Sequence, residues 1–339
     1  MNQQTAARSK SAAPILQVRD LAIYYETPAG DVRAVDGIDL DLFAGETLGI
    51  VGESGCGKST AAMGILQLVN RPGRIVKGEV WLDGEDLLPL PEEALRKKRW
   101  SKLSLIPQGA MNSLNPTMSV GAQIKDVMTT HIGRLSSAQF NAQMDELALM
   151  VGLPRRVAHL YPHELSGGMK QRVCIAMAVA LSPSVIIADE ATSALDVVVQ
   201  RVVAQTIQNV REKLNVSLIM IGHDMGLMAQ MTGRIAVMYA GHVVEVAETK
   251  ALFANPRHPY TQMLIEAIPS LTEKKPLKVA GGLTHDPRDP PSGCIFRLRC
   301  PHADGQCAAE KPESKNLGKG ARVACHHFDK ILPFNREKK

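Results

Sequence analysis

The chain has 339 residues, of which 45% are hydrophobic and 22% charged, so it can bury a sizeable core in about two domains and is not generally disordered. A formal charge of +5 admits an anionic ligand or a membrane surface without demanding nucleic acid. The opening stretch, MNQQTAARSKSAAPILQV, has no continuous apolar run followed by a cleavage site. It does not read as a signal peptide, so residues 1–14 are expected to form a flexible N-terminus and the protein to reside in the cytosol. The longest apolar run, Cys174 to Leu181, falls far short of the roughly 18 residues that span a bilayer. Any membrane role must therefore come through a partner.

In chain order, an apolar run ending at Val51 predicts a buried strand. Gly52-Glu53-Ser54-Gly55-Cys56-Gly57-Lys58-Ser59-Thr60 follows, and then an apolar pattern of helical spacing. Gly52, Gly55 and Gly57 let the backbone wrap phosphate with its N–H groups while the new helix points its positive end at them. Lys58 then reaches the terminal phosphates and Ser59 offers a hydroxyl to Mg²⁺. Cys56 reads as a small residue filling the loop. The basic run Arg96 to Trp100 reads as a solvated helix face, and the apolar stretch LSLIPQ ends at Gln108.

Leu165-Ser166-Gly167-Gly168-Met169 opens a strongly apolar helix, placing a hydroxyl and bare N–H groups at a second helix N-terminus. Cys174 lies inside that helix and is expected to pack in the core. A buried-strand run from Val185 to Ala188 then delivers Asp189 and Glu190 at its end. Asp189 is the metal-side carboxylate, and Glu190, pointing differently by strand alternation, is the general base. Two phosphate-binding helix ends in one chain suggest a site assembled between two chains.

This series resembles the ATP-binding-cassette (ABC) ATPases. Gly52–Thr60 is similar to their Walker A motif, Leu165–Met169 to the signature motif, Val185–Glu190 to Walker B and Ser193–Asp196 to the D-loop. His223, in SLIMIGHDM, stands at the switch histidine, and Gln108 at the Q-loop glutamine, which reaches the metal and attacking water. Tyr25 is the aromatic residue expected to stack on adenine, with Tyr24 as the alternative. The resemblance covers roughly residues 15–250. It implies an α/β P-loop NTPase fold with a β-rich subdomain and a helical subdomain inserted at about 112–180. It further implies ATP and Mg²⁺ as ligands, with two cassettes joined head to tail so that Ser166, Gly167 and Gly168 cap the ATP of the partner.

SLNP (Ser113–Pro116), YPHELSGGM and NPRHPYTQMLIEAIP resemble the ATPase subunits of peptide and nickel importers. That resemblance implies an ATPase on the cytoplasmic face of the inner membrane. Its expected partners are two transmembrane permease subunits, a second and paralogous ATPase, and an extracytoplasmic substrate-binding protein. Gly109-Ala110 departs from the acidic residue and proline common after the glutamine. Ala191 and Gly222 are further departures that remove no catalytic group. The alternatives are a soluble ABC ATPase acting on nucleic acid or ribosomes, whose insertions or doubled cassettes are not seen here, and a P-loop GTPase, whose N-K-x-D element is not seen either.

Residues 251–339 are expected to form a loop-rich C-terminal extension. Cys294, Cys300, Cys307 and Cys325 give C-x5-C-x6-C-x17-C after the Pro-rich HDPRDPPSG. Four thiolates in a core-poor segment of a cytosolic protein suit a soft metal, because ligation supplies folding energy that the segment cannot bury. The spacing lacks the C-x2-C pairs typical of structural zinc. It resembles the [4Fe–4S] segment of peptide-importer ATPases. Zinc, with His302, His326 or His327 as substitute ligands, and unligated thiols stay open. Loosening this segment is expected to leave nucleotide binding nearly intact.

Overall fold

The computed structural model describes residues 13–109, 113–193, 195–268 and 285–330. The expected N-terminal tail therefore lies outside the described residues except for its last two positions, and so does Ala110 of the Gly109-Ala110 pair.

The chain starts with a hairpin of β1 (Leu16–Thr27) and β2 (Gly30–Leu42), followed by β3 (Thr47–Val51) and α1 (Lys58–Ile65). The next elements are β4 (Gly73–Leu82), β5 (Glu85–Asp86), α2 (Glu92–Lys98) and β6 (Leu103–Ile106). Strands β2, β1, β4 and β5 form an antiparallel four-stranded sheet in that order. Its inner face packs closely on α1: a Cβ built on Gly64 would lie 2.3 Å from Cδ1 of Ile23. This contact sets how near the first helix can sit to the sheet, and so where the loop before that helix lies.

Three helices, α3 (Val120–Ile132), α4 (Ser137–Met150) and α5 (Gly167–Val179), separate β6 from β7 (Val185–Asp189). Each begins at a serine whose hydroxyl accepts a backbone N–H: Ser119, Ser136 and Ser166. Ser136 and Gln139 complete a capping box. The order continues with α6 (Val197–Leu214), β8 (Ser217–Gly222), α7 (Met225–Met231), β9 (Arg234–Tyr239), β10 (His242–Glu248), α8 (Thr249–Ala254), α9 (Pro259–Glu266), α10 (Gly305–Ala309), β11 (Lys315–Gly318) and β12 (Ala321–Val323).

The main sheet has eight strands in the order β11-β12-β10-β9-β3-β8-β7-β6, and the run from β9 to β6 is parallel. Every residue of β3, β7 and β8 is buried, as expected for strands covered on both faces. The sheet does not stop where the extension was expected to begin. Strand β12 pairs with β10 through Glu245 and Val323, and β11 adds beyond it.

The extension also has more core than its composition suggests. Phe296 is 1% exposed, and its ring lies 5.0 Å from that of Tyr239 and 5.5 Å from that of Tyr260. These partners are distant in sequence, so no local apolar pattern announces the cluster.

His258 caps α9, its Nδ1 accepting the Tyr260 N–H at 3.0 Å, and it is fully buried against Phe296. Burial pushes its pKa down to about 3, which keeps the lone pair that the cap needs. An unfolded histidine protonates near pH 6.5 whereas this one does not, so stability falls as pH drops from about 6.5 towards 3, by up to about 1.4 kcal/mol per pH unit. The Glu245 carboxylate, which accepts the His258 N–H, is shifted upward by burial and acts in the opposite sense. Comparison with His258→Gln isolates the histidine. Between pH 6.5 and 5.5 the parent should lose about 1 kcal/mol more in urea unfolding than the variant. Parallel losses would contradict the buried neutral imidazole.

Candidate active site

Because β3, β8 and β7 are parallel neighbours, their C-terminal ends open on one crevice. The loop after β3 leads into α1 through Gly57, whose φ of +101° lies in the left-handed region. A Cβ on Gly57 would sit 2.2 Å from the Ala34 carbonyl oxygen, and one on Gly52 2.2 Å from that of Met238. Both positions exclude any side chain. Lys58 is buried and donates from Nζ to the carbonyl oxygens of Gly52 at 2.8 Å and Glu53 at 3.0 Å. Cys56 is buried beside it, with Sγ 3.8 Å from Nζ, and burial pushes the thiol pKa up.

Ser59 Oγ donates to Asp189 Oδ1 at 3.0 Å. A hydroxyl and a carboxylate oxygen placed side by side are the hard-oxygen donors that Mg²⁺ takes, so the residues present fit that ion. Asp189 is 2% exposed, and burial raises its carboxyl pKa while the Ser59 hydrogen bond opposes the shift. Glu190 follows with a φ of +44°, a costly region for a non-glycine residue. Its N–H donates to the Ile221 carbonyl at 3.0 Å, and its carbonyl accepts from Ser193 N–H and Oγ at 2.9 and 2.8 Å. The two adjacent carboxylates thus serve different partners, Asp189 bonding Ser59 and Glu190 facing Gln108 and His223. Glu190 accepts from Gln108 Nε2 at 2.8 Å, and His223 Nδ1 lies 3.5 Å from its other oxygen.

The crevice, about 470 Å³, is lined by Ser54, Gly55, Gly57, Lys58, Ser59, Thr60, Gln108, Glu190 and His223, with Ala34 from β2. Ala34 carries no recognisable motif. Tyr25 is not among these lining residues; it is half-buried and packs against the margin of the cluster that holds Ile23. Tyr24 does not line it either, because its hydroxyl donates to Asp36 at 2.7 Å. Ser166, Gly167 and Gly168 also lie away from the crevice of their own chain. Ser166 is exposed, and Gly168 abuts Val199, whose Cγ1 would be 2.5 Å from an added Cβ. Asp196 caps α6 through Val198 and Val199 N–H, and Ala194 lies outside the described residues.

The four extension cysteines are free thiols. Cys294, Cys307 and Cys325 are buried and Cys300 is half-buried. Burial pushes Cys325 up to about 12 and Cys300 to about 11, and other thiols of the set add to each shift. Thiols that oppose one another's ionisation are a set whose ionised state a bound cation would favour. The tightest donor group among the described residues is Asp304, Cys307 and His327. His327 Nε2 lies 3.1 Å from the Asp304 carboxylate and 3.6 Å from Cys307 Sγ. His326 instead meets the Glu310 carbonyl at 3.0 Å, and His302 is exposed. Asp304 was not singled out from the sequence; its only local signal is an N-cap position before α10.

The extension is also joined to the nucleotide site. Arg299, next to Cys300, forms a bidentate ion pair with Glu53 of the phosphate loop.

Residues 35–193 match the ABC transporter family, and residues 244–307 match the oligopeptide/dipeptide transporter C-terminal region. The chain is 41% identical over 322 residues to the dipeptide transport ATP-binding protein DppD of Caldanaerobacter subterraneus, covering 94% of this chain and 99% of that one. It is an ATP-binding subunit of the ABC transporter family. DppD of Escherichia coli K12 is 40% identical, with 92% and 96% of the two chains covered. The oligopeptide transport ATP-binding protein OppD of Bacillus subtilis is 42% identical, with 85% and 82% covered. Among solved structures, a dimeric ATP-binding cassette in a post-hydrolysis state with ADP and Pi superposes with a TM-score of 0.62 at 27% identity, covering 69% of this chain and 98% of that one.

These similarities give no support to the nucleic-acid reading of the cassette. Its basic run agrees with them: Lys97, Lys98 and Arg99 pair with Glu93, Glu85 and Glu92.

Glu190→Gln in this ABC ATPase should keep ATP binding and lose turnover by about a hundredfold or more. Lys58→Ala should instead weaken nucleotide binding by about tenfold to a hundredfold. Equilibrium binding beside steady-state hydrolysis checks both, and normal hydrolysis by Glu190→Gln would remove that residue from its role.

Proposed function

We propose that this ATPase energises the import of dipeptides or oligopeptides, working on the cytoplasmic face of the inner membrane. It would act with two permease subunits, a paralogous second cassette and an extracytoplasmic substrate-binding protein. The observation that carries this reading is the oligopeptide/dipeptide transporter C-terminal region at residues 244–307, in a chain whose relatives are named for dipeptide and oligopeptide transport. No helix among the described residues is long and apolar enough to cross a membrane, in keeping with a subunit that reaches the bilayer through partners.

In the proposed mechanism Lys58 exchanges the carbonyls of Gly52 and Glu53 for the terminal phosphates of ATP. Ser59 and Asp189 would hold Mg²⁺, which when bound would supply charge neutralisation on those phosphates. Glu190 accepts the proton of the attacking water, while Gln108 and His223, already bonded or close to its carboxylate, orient that water. Ser166 and its glycines complete the ATP site of the paired cassette. Two observations support pairing: the signature end is exposed outside its own crevice, and Val197 and Val198, just beyond the D-loop, are 81% and 73% exposed. Proteoliposomes holding the whole transporter should take up a dipeptide only with ATP inside, and uptake should vanish with Glu190→Gln. Uptake of a sugar or nickel chelate in place of peptide would overturn the substrate.

We infer further that Cys294, Cys300, Cys307 and Cys325 hold a [4Fe–4S] cluster, which would staple the extension's loops. The tighter Asp304, Cys307 and His327 group favours zinc as the second reading. Protein purified without oxygen should carry about four irons and four acid-labile sulfides per chain. Stoichiometric zinc would replace the cluster reading, and neither metal would end both. Cys300→Ser should make the extension more sensitive to protease, and equal cleavage of variant and parent would contradict a stapling role.

A further inference from the structure

Glu53, the second residue of the phosphate loop, is gripped on three sides. Its carbonyl accepts from Lys58 Nζ at 3.0 Å and from Cys56 N–H at 3.2 Å, both within the loop. Its own N–H donates to the Tyr260 hydroxyl at 2.9 Å, and its carboxylate accepts from Arg299 Nη1 and Nη2 at 2.8 and 2.9 Å. Tyr260 and Arg299 belong to no motif of ATP hydrolysis. Arg299 is 6% exposed and lies over the rings of Tyr239 and Phe296, at 5.6 and 6.0 Å from their centroids. A guanidinium buried this far, and held flat by two aromatic faces, has its charge answered by a planar carboxylate in fork geometry.

The charge of that carboxylate matters. It is 37% exposed, one residue after Gly52, on a loop whose task is to receive a triphosphate. Unanswered, it would repel the incoming phosphates and compete with them for Lys58. We propose that Arg299 is a positioning residue of the ATP site: it neutralises Glu53 and, with Tyr260, holds the start of the phosphate loop in its binding shape. The oligopeptide-type C-terminal region thereby sets the nucleotide affinity of the cassette that carries it. These side-chain contacts are present whether or not the cysteines hold a metal.

The test uses the full chain, with a fluorescent ATP analogue for affinity and steady-state hydrolysis for KM and kcat. Arg299→Gln should weaken ATP binding about tenfold, seen as a raised KM with a smaller change in kcat. Removing the stranded carboxylate should undo this, so Glu53→Gln/Arg299→Gln should return to within about twofold of the parent. A merely structural arginine would give a double variant as poor as the single one or worse. Arg299→Lys keeps the cation but loses the planar fork, with less risk to folding; it should bind about threefold more weakly, again reversed by Glu53→Gln. Parental affinity in both Arg299 variants, or no recovery in the double variants, overturns the proposal. Parental ATP binding measured alongside separates that failure from failure of the nucleotide site itself.

Discussion

The parallel pairing of β3, β8 and β7 is the constraint on which the rest depends. Each strand ends at the same edge, so the phosphate loop, Glu190 and His223, far apart in sequence, meet over one crevice, with Asp189 bonded to Ser59 beside it. Burial on both faces makes these strands stiff supports, which suits groups that must hold position to within a fraction of an ångström. Strain is confined to where it aims a side chain: Glu190 is held at positive φ by backbone hydrogen bonds to Ile221 and Ser193, and so turns away from Asp189.

Much of this arrangement is legible in the sequence because its causes are local. Strands buried on both faces must be uninterrupted apolar runs. Gly52 and Gly57 cannot be anything else, because neighbouring carbonyl oxygens occupy the space of a Cβ. Ser166 and Asp196 announce helix starts by their chemistry. The less legible features depend on long-range contact. Arg299 and Glu53 are 246 residues apart, and nothing near either residue signals the pair. The aromatic cluster of Tyr239, Tyr260 and Phe296 draws on β9, α9 and a loop, so a segment that reads as core-poor shares the main core.

The extension is thus continuous with the cassette in two ways, by strand addition at the sheet edge and by its grip on Glu53. Sheet edges are exposed liabilities unless they are covered. Here β12 covers β10, and the cysteine-bearing loops are held between that edge and the phosphate loop. Any group that orders those loops would stiffen a segment already touching the nucleotide site. A metal bound there, as proposed, would have a structural use in a protein whose reaction needs no redox step.

In the proposed pair of cassettes each chain supplies half of a working ATP site: Lys58, Ser59, Asp189 and Glu190 at its own crevice, and Ser166 at that of its partner. Ser166→Arg separates the two halves, because Ser166 is exposed and does not line its own crevice. The decisive measurement is ATP affinity of the isolated Ser166→Arg chain beside ATP turnover of the transporter assembled with it. Parental affinity with turnover largely lost is the expected result. Weakened binding by the isolated chain, or turnover that survives intact, would contradict it.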